Sequence, residues 1–268
     1  MTTPLLTFVH ISDTHIPADA DYKTTYATLA PHPAAVELVK QINTLPIDPA
    51  FVLHTGDVAY DPYPKAYAAC REILGEIKYP VHYVAGNHDA SAALQNALVQ
   101  RGAIDLQLHY EFEVNGVQIV IADSNGPTEP PAGYMTDHQL AWLREKCSAD
   151  DPRPLVIATH HNPVPVSIPW LDHYMGIQNG DAFHDAILPA RDRIRGVFFG
   201  HVHQNLAIHR NGILYASTVS PWTQFHAWPG QTDTIHDPTL QPGFNVVTIY
   251  DNQTLIRRHH YSFTADER

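Results

Sequence analysis

The chain has 268 residues, 44% of them apolar, enough for the core of one large α/β domain with no stretch polar enough to read as disordered. Asp and Glu number 28 against 16 Lys and Arg, a formal charge of −12, which argues against a basic surface that tracks a nucleic-acid polymer. The 2 cysteines, Cys70 and Cys147, have no metal-type spacing and cannot build a disulfide framework, and no apolar run approaches the ~18 residues of a membrane span. The stretch Met1–Val9 lacks a basic leader pattern, so a soluble cytoplasmic protein is the expectation. Its 19 His outnumber all its Lys and Arg, leaving part of the acidic excess open to neutralisation by metal ions.

In chain order, Leu5–Ile11 is a β-branched apolar run and reads as a buried strand ending in Ser12-Asp13-Thr14-His15. Residues 17–33 form a loop. Pro33–Ile42 reads as a helix with Val36, Val39 and Ile42 turned inward, and Ala50–Leu53 as a strand running into His54-Thr55-Gly56-Asp57. Pro64–Ile77 is helical in spacing, and Tyr79–Ala85 is a third strand ending at Gly86-Asn87-His88-Asp89. The order β-α-β-α-β implies a parallel sheet with right-handed crossovers.

A weaker helix over Ser91–Gln100 leads to a hairpin, His109–Val114 and Val117–Ala122, around Asn115-Gly116. Thr136 caps a helix holding Leu140, Trp142 and Leu143. Leu155–Thr159 is a strand ending at His160-His161, a short helix covers Asp181–Leu188, and Gly196–Phe199 is a strand ending at Gly200-His201-Val202-His203. The last third reads as β over 205–210, 213–218, 244–250 and 254–261, with a structured loop over 220–243. With no repeat or linker, residues 1–268 read as a single domain.

Five strand-like runs therefore end in Asp, Asn or His. In open α/β sheets the ligand site lies beyond the carboxyl ends of the strands, so parallel neighbours bring these tips together. Singly each is weak: Gly56-Asp57 alone is more often a turn. Gly-His-x-His is stronger, because period-two spacing in extended chain puts both rings on one face. The set offers carboxylate oxygens and imidazole nitrogens but no thiolate, the donors for Zn²⁺, Mn²⁺ or Fe. That is too many ligands for one ion. It suits two ions sharing a carboxylate, about 3.5–4 Å apart, which can clamp both oxygens of an in-line phosphoryl displacement.

Asp13-Thr14-His15, Gly56-Asp57, Gly86-Asn87-His88-Asp89, His160 and Gly200-His201-Val202-His203 match in order the five blocks of the calcineurin-like metallophosphoesterases, and the chain resembles that family over most of its length. His10–His15 and the tail after Gly200 look most like bacterial class III cyclic-nucleotide phosphodiesterases and their glycerophosphodiesterase relatives. The resemblance implies an α/β fold, a four-layer αββα sandwich of two mixed sheets flanked by helices. It implies that Asp13, His15 and His203 hold one metal, that Asp57 bridges, and that Asn87, His160 and His201 hold a second, the ions being divalent or trivalent Fe, Mn or Zn. A hydroxide between them would attack phosphorus. His88 would bind the phosphate beside Asn87 and protonate the leaving oxygen, with Asp89 orienting its ring.

The implied reaction is hydrolysis of a small-molecule phosphodiester, best a 3′,5′-cyclic nucleotide such as cyclic AMP. A broad glycerophosphodiesterase, a phosphomonoesterase or a non-catalytic binding protein on the same scaffold are the alternatives. At His160-His161-Asn162-Pro163 the relatives read His-His-Pro-Pro, which leaves His161 as an alternative ligand. His10, His54 and His82 read as core or supporting residues, and His259-His260 need no function. Tyr22, Tyr26, Trp170, His173, Tyr174 and Trp222 lie in loops, where each could pack or stack on a nucleobase. No membrane partner is expected. Oligomeric state is open, since the Asn115-Gly116 hairpin or the 220–243 loop could pair with a second copy.

Overall fold

The computed structural model describes residues 3–100 and 105–263; Met1 and Thr2, the start of the stretch read against a leader, lie outside them. In chain order the elements are β1 (Leu6–Ile11), α1 (Pro31–Asn43), β2 (Val52–His54), α2 (Pro64–Leu74), β3 (Val81–Tyr83) and α3 (Ser91–Leu94), which runs on as a π-helical turn over Gln95–Val99. Then come β4 (Tyr110–Val114), β5 (Val117–Ile121), α4 (Asp137–Lys146), β6 (Leu155–Ala158), α5 (Pro169–Asp172), α6 (Gly180–Ile187) and β7 (Ile194–Phe199). The chain closes with β8 (Ala207–Arg210), β9 (Ile213–Ser217), β10 (Gly243–Ile249) and β11 (Thr254–His260).

Two mixed sheets result, ordered β11-β10-β1-β2-β3 and β4-β5-β6-β7-β9-β8. The pairs β1–β2, β2–β3, β5–β6, β6–β7 and β7–β9 are parallel, while the outer pairs β1–β10, β10–β11, β4–β5 and β8–β9 are antiparallel. Strand periodicity sorts β1 into two cores. Leu6 and Phe8 meet Val117, Ile119, Val156, Phe198 and Val247 between the sheets, whereas Val9 and Ile11 pack under α1 and α2 with Leu38, Ile42 and Tyr67. The second sheet buries its other face under α4 and α6, against Leu140, Leu143, Phe183 and Ile187. The layers are α, β, β, α, as the resemblance implied. Strands covered on both faces carry continuous apolar runs, which is why β5 and β6 are buried at every position.

Local chemistry sets most boundaries. Pro31 and Pro64 open α1 and α2, where a missing N–H costs nothing, so α1 begins two residues ahead of its expected start. Thr136 Oγ1 caps α4 by accepting from the Gln139 amide at 3.3 Å, a bond worth about 1 kcal/mol. Asn115 and Gly116 both take positive φ, 51° and 77°, the demand of a two-residue hairpin. Val36 corrects the sequence reading. It is 42% exposed, because the buried stripe of α1 runs through Ala35, Leu38, Val39 and Ile42 and leaves Val36 about 100° off it. The short helix α5 falls between the expected strand at Leu155–Thr159 and the expected helix at Asp181–Leu188, where the sequence pattern marks no element.

Candidate metal centre

The parallel strands β1, β2, β3, β6 and β7 release the chain at one end of the sandwich, and their tips are laced together. The Asp13 amide donates to the Gly56 carbonyl at 3.0 Å, the His15 amide to the Asp57 carbonyl at 3.0 Å, and the Gly200 amide to the His160 carbonyl at 3.0 Å. The His201 amide donates to Asp13 Oδ2 at 3.0 Å, joining the two sheets. These turns force Asp13, His15, Asp57, His201 and His203 into positive φ, between 43° and 68°. Such a conformation costs an ordinary residue about 1 kcal/mol, so five at one site mean that the lacing over-determines the backbone. Two glycines allow the close approach. A Cβ on Gly86 would lie 2.2 Å from Asp57 Oδ1, and one on Gly200 would lie 1.9 Å from Ser12 Oγ.

The lacing brings together all seven side chains expected to bind metal. Asp57 stands in the middle: its Oδ2 is 3.5 Å from His15 Nε2 on one side and 3.4 Å from His160 Nε2 on the other. His203 Nε2 lies 3.4 Å from Asp13 Oδ1 and 3.4 Å from His15 Nε2. Asn87 Oδ1 is 3.1 Å from His160 Nε2. Asp13, His15 and His203 form one compact group of possible ligands, Asp13, Asp57 and His160 another, and His201 joins His160 and His161 in a third. All of these but Asn87 are buried.

Backbone carbonyls fix which ring nitrogens face inward. His160 Nδ1 sits 2.7 Å from the Thr55 carbonyl and His203 Nδ1 sits 2.8 Å from the Thr223 carbonyl. A carbonyl only accepts, so in both rings Nδ1 carries the hydrogen and Nε2 presents its lone pair to carboxylate or amide oxygens. A lone pair facing an oxygen is repulsive until a cation or a proton lies between them. Without metal the proton takes that place at His160: burial opposes the charged ring, but Asp57 wins and lifts it to about 9. Burial would likewise neutralise Asp57, yet His160, His88 and His15 hold its carboxyl well below the usual range. His201 Nε2 and His161 Nε2 are buried with no hydrogen-bond partner among the described residues. Converging lone pairs, two carboxylates and orphaned imidazole nitrogens fit divalent cations.

His161 sits differently from His160. Its Nδ1 is 2.6 Å from Ser124 Oγ and its ring packs against Gly133, where a Cβ would come within 2.7 Å. The ring next to Asp57 and Asn87 belongs to His160.

His88 lies at the cavity wall. Its amide donates to Asp57 Oδ1 at 2.9 Å, and its Nδ1 is 2.7 Å from the Tyr60 carbonyl, which leaves Nε2 as the free end. Burial opposes its charge, but Asp57 and the Tyr60 carbonyl outweigh it and raise its pKa. Asp89 corrects the sequence reading, because its carboxylate turns away from the His88 ring. It accepts from the Gly86, Val58 and Ala59 amides at 3.0, 3.1 and 3.2 Å and from the Tyr67 hydroxyl at 3.3 Å. Burial and the charge of Asp57 push its pKa up to about 6 against the pull of those amides. It pins the β3 tip to the β2 tip. Asp89→Ala strands four buried donors, and a loss of about 3 kcal/mol or more is expected in urea unfolding. A loss below 1 kcal/mol would show that the turn holds without it.

Above these groups opens a cavity of about 120 Å³, lined by His15, Asp57, His201 and His203 on its floor and by Asn87, His88, Tyr26, Tyr60, Met175, Trp222, Thr223 and Phe225 on its walls. Of the loop aromatics raised from sequence, Tyr26 and Trp222 reach the cavity; Tyr22 touches it only through its hydroxyl bond to Tyr60, at 2.8 Å. Trp170 is buried and packs edge-on against Phe225 at 5.5 Å, and Tyr174 is exposed. His226 pairs with Asp237 at 3.2 Å. Sequence reasoning missed Tyr60 and His236. Tyr60, three residues past Asp57, was open to the same strand-tip argument, whereas His236 sits in a long loop that carries no such signal.

An αββα sandwich with buried carboxylates and imidazoles at its strand tips defines a metal-dependent hydrolase of phosphoric esters. The family model described as Calcineurin-like phosphoesterase matches residues 6–205, and the chain belongs to that family. It is 32% identical over 204 residues to 3′,5′-cyclic adenosine monophosphate phosphodiesterase CpdA of Pseudomonas aeruginosa, covering 76% of this chain and 71% of the relative. It is 27% identical over 198 residues to Glycerophosphodiester phosphodiesterase GpdQ of Enterobacter lignolyticus, covering 72% and 69%. Among solved structures a dimetal phosphatase from Danio rerio shares the fold, with a TM-score of 0.70 at 15% identity over 96% of this chain and 97% of that one. No helix among the described residues is long and apolar enough to cross a membrane.

Proposed function

We propose that the protein is a single-domain cytoplasmic phosphodiesterase with two metal ions, acting on 3′,5′-cyclic nucleotides and on cyclic AMP foremost. The observation that carries this reading is the Asp57 carboxylate, set between His15 and His160 under an open cavity. Asp13, His15 and His203 would hold one ion, Asn87, His160 and His201 the other, and Asp57 would serve both. Bound there, the ions supply Lewis acidity to phosphoryl oxygens and activate water. The relatives named as cyclic-nucleotide phosphodiesterases support the choice of ester. The two free, buried cysteines agree with a reducing compartment.

The chain's own residues supply the rest. Asn87 and His88 stand at the cavity wall, where a phosphoryl oxygen bound over Asp57 meets them. With Nδ1 held by the Tyr60 carbonyl, His88 presents Nε2 to the ester, and in its protonated form it hands that proton to the departing alkoxide. The Tyr60 carbonyl and Asp57 Oδ1 keep the ring and its backbone in place, so little reorganisation accompanies the transfer.

The test is a side-by-side assay of the Mn²⁺-loaded protein on cyclic AMP, bis(p-nitrophenyl) phosphate, glycerophosphoethanolamine and p-nitrophenyl phosphate. Diester turnover should exceed monoester turnover by about tenfold or more, and chelation should abolish it. Monoester turnover well above every diester would refute the diesterase reading.

A further inference from the structure

One wall of the cavity is aromatic, and it is built from three separate loops. Tyr26 comes from the loop after β1, Tyr60 from the loop after β2, and Trp222 from the loop after β9. The Trp222 ring stands 5.8 Å from His15, 6.4 Å from Tyr60 and 6.2 Å from Tyr26, centroid to centroid. Tyr26 is the outermost of the three and is 48% exposed, yet it is not loose: His236 stacks on it at 4.2 Å with the ring planes 17° apart. His236 is itself held, its Nδ1 lying 3.0 Å from Thr223 Oγ1. A half-exposed ring with one face backed by a fixed imidazole is a preformed stacking platform.

The charge of the cavity narrows what can lie there. Among the described residues that line it, none is Lys or Arg, and Asp57 is the only acid. A phosphodiester brings one negative charge, which the floor receives. A substituent with a second anionic group would find no cation on the wall, and an aliphatic chain would leave the ring faces without a flat partner.

We propose that Tyr26, backed by His236, forms with Trp222 and Tyr60 the subsite for the organic part of the ester, and that it selects a flat, uncharged ring such as a nucleobase. This rests on the phosphodiesterase reading and adds the residues that set its specificity. Tyr26 acts on binding rather than on bond cleavage, so its removal appears in KM more than in kcat.

The test compares Mn²⁺-loaded wild type with Tyr26→Ala and Tyr26→Phe on cyclic AMP and on glycerophosphoethanolamine. The preference for cyclic AMP, as a ratio of kcat/KM values, should fall about tenfold in the Ala variant through KM, and Phe should restore it because the ring face is kept. A ratio within twofold of wild type in the Ala variant, or an equal loss in both variants, overturns the proposal. Should wild type cleave no diester, the phosphodiesterase reading fails by itself and the subsite is read by calorimetry. Tyr26→Ala should then weaken adenosine 5′-monophosphate about tenfold more than inorganic phosphate, and equal weakening of the two overturns the subsite.

Discussion

Asp57→Ala is expected to strip the protein of both metal ions and to lower kcat/KM by about 10³-fold or more. The carboxylate stands between imidazoles from both halves of the site, His15 at 3.5 Å and His160 at 3.4 Å, so its loss weakens both halves at once. Asp57 also accepts the His88 amide, and a fall in activity alone would mix metal loss with a displaced acid. Asp57→Asn separates the two. It keeps an oxygen for that amide and removes the charge. Elemental analysis should find two ions per chain in wild type and fewer than one in either variant. The metal-dependent rise in melting temperature should vanish with them, because a ligand that binds only the folded state stabilises it by mass action. Retention of both ions and of activity in either variant would refute the bridging role.

The sequence made the centre visible because its chemistry resides in side-chain types that have few other reasons to recur at strand ends. Asp13, His15, Asp57, Asn87, His160, His201 and His203 all follow buried runs, and parallel pairing carries those runs to one edge. What orients the donors was not visible. The Thr55, Tyr60 and Thr223 carbonyls set the ring tautomers of His160, His88 and His203, and a carbonyl is common to every residue type. Asp89 shows a second limit. Neighbours in sequence at a tight turn point apart, so its carboxylate reaches Val58 and Ala59 rather than the adjacent ring. The fold followed the same division. Long strands buried on both faces stood out, whereas β3 holds three residues of the expected Tyr79–Ala85 and β2 ends at His54, one residue past the expected Leu53. Val36 misled because a single apolar residue off the buried stripe matches part of a helical pattern by chance.

His88→Ala should leave metal content unchanged and lower kcat by about 10²–10⁴-fold, but only where the leaving group needs a proton. The ring donates through Nε2, since Nδ1 is committed to the Tyr60 carbonyl. The ribose alkoxide of a cyclic nucleotide is a strong base and leaves poorly unprotonated, whereas p-nitrophenolate departs without help. The variant should therefore lose most of its turnover of cyclic AMP and little of its turnover of bis(p-nitrophenyl) phosphate. A pH series gives the same contrast in wild type. Because Asp57 and the Tyr60 carbonyl raise the pKa of His88, the acid form persists to higher pH than in a free imidazole, and its fraction falls as pH rises through the raised value. Cyclic AMP turnover should decline through that range while nitrophenyl diester turnover does not. His88 also forms a group of possible ligands with His15 and Asp57, so the metal analysis carries equal weight. Loss of an ion in His88→Ala would make it a ligand, and equal losses on the two substrates would remove it from the proton transfer.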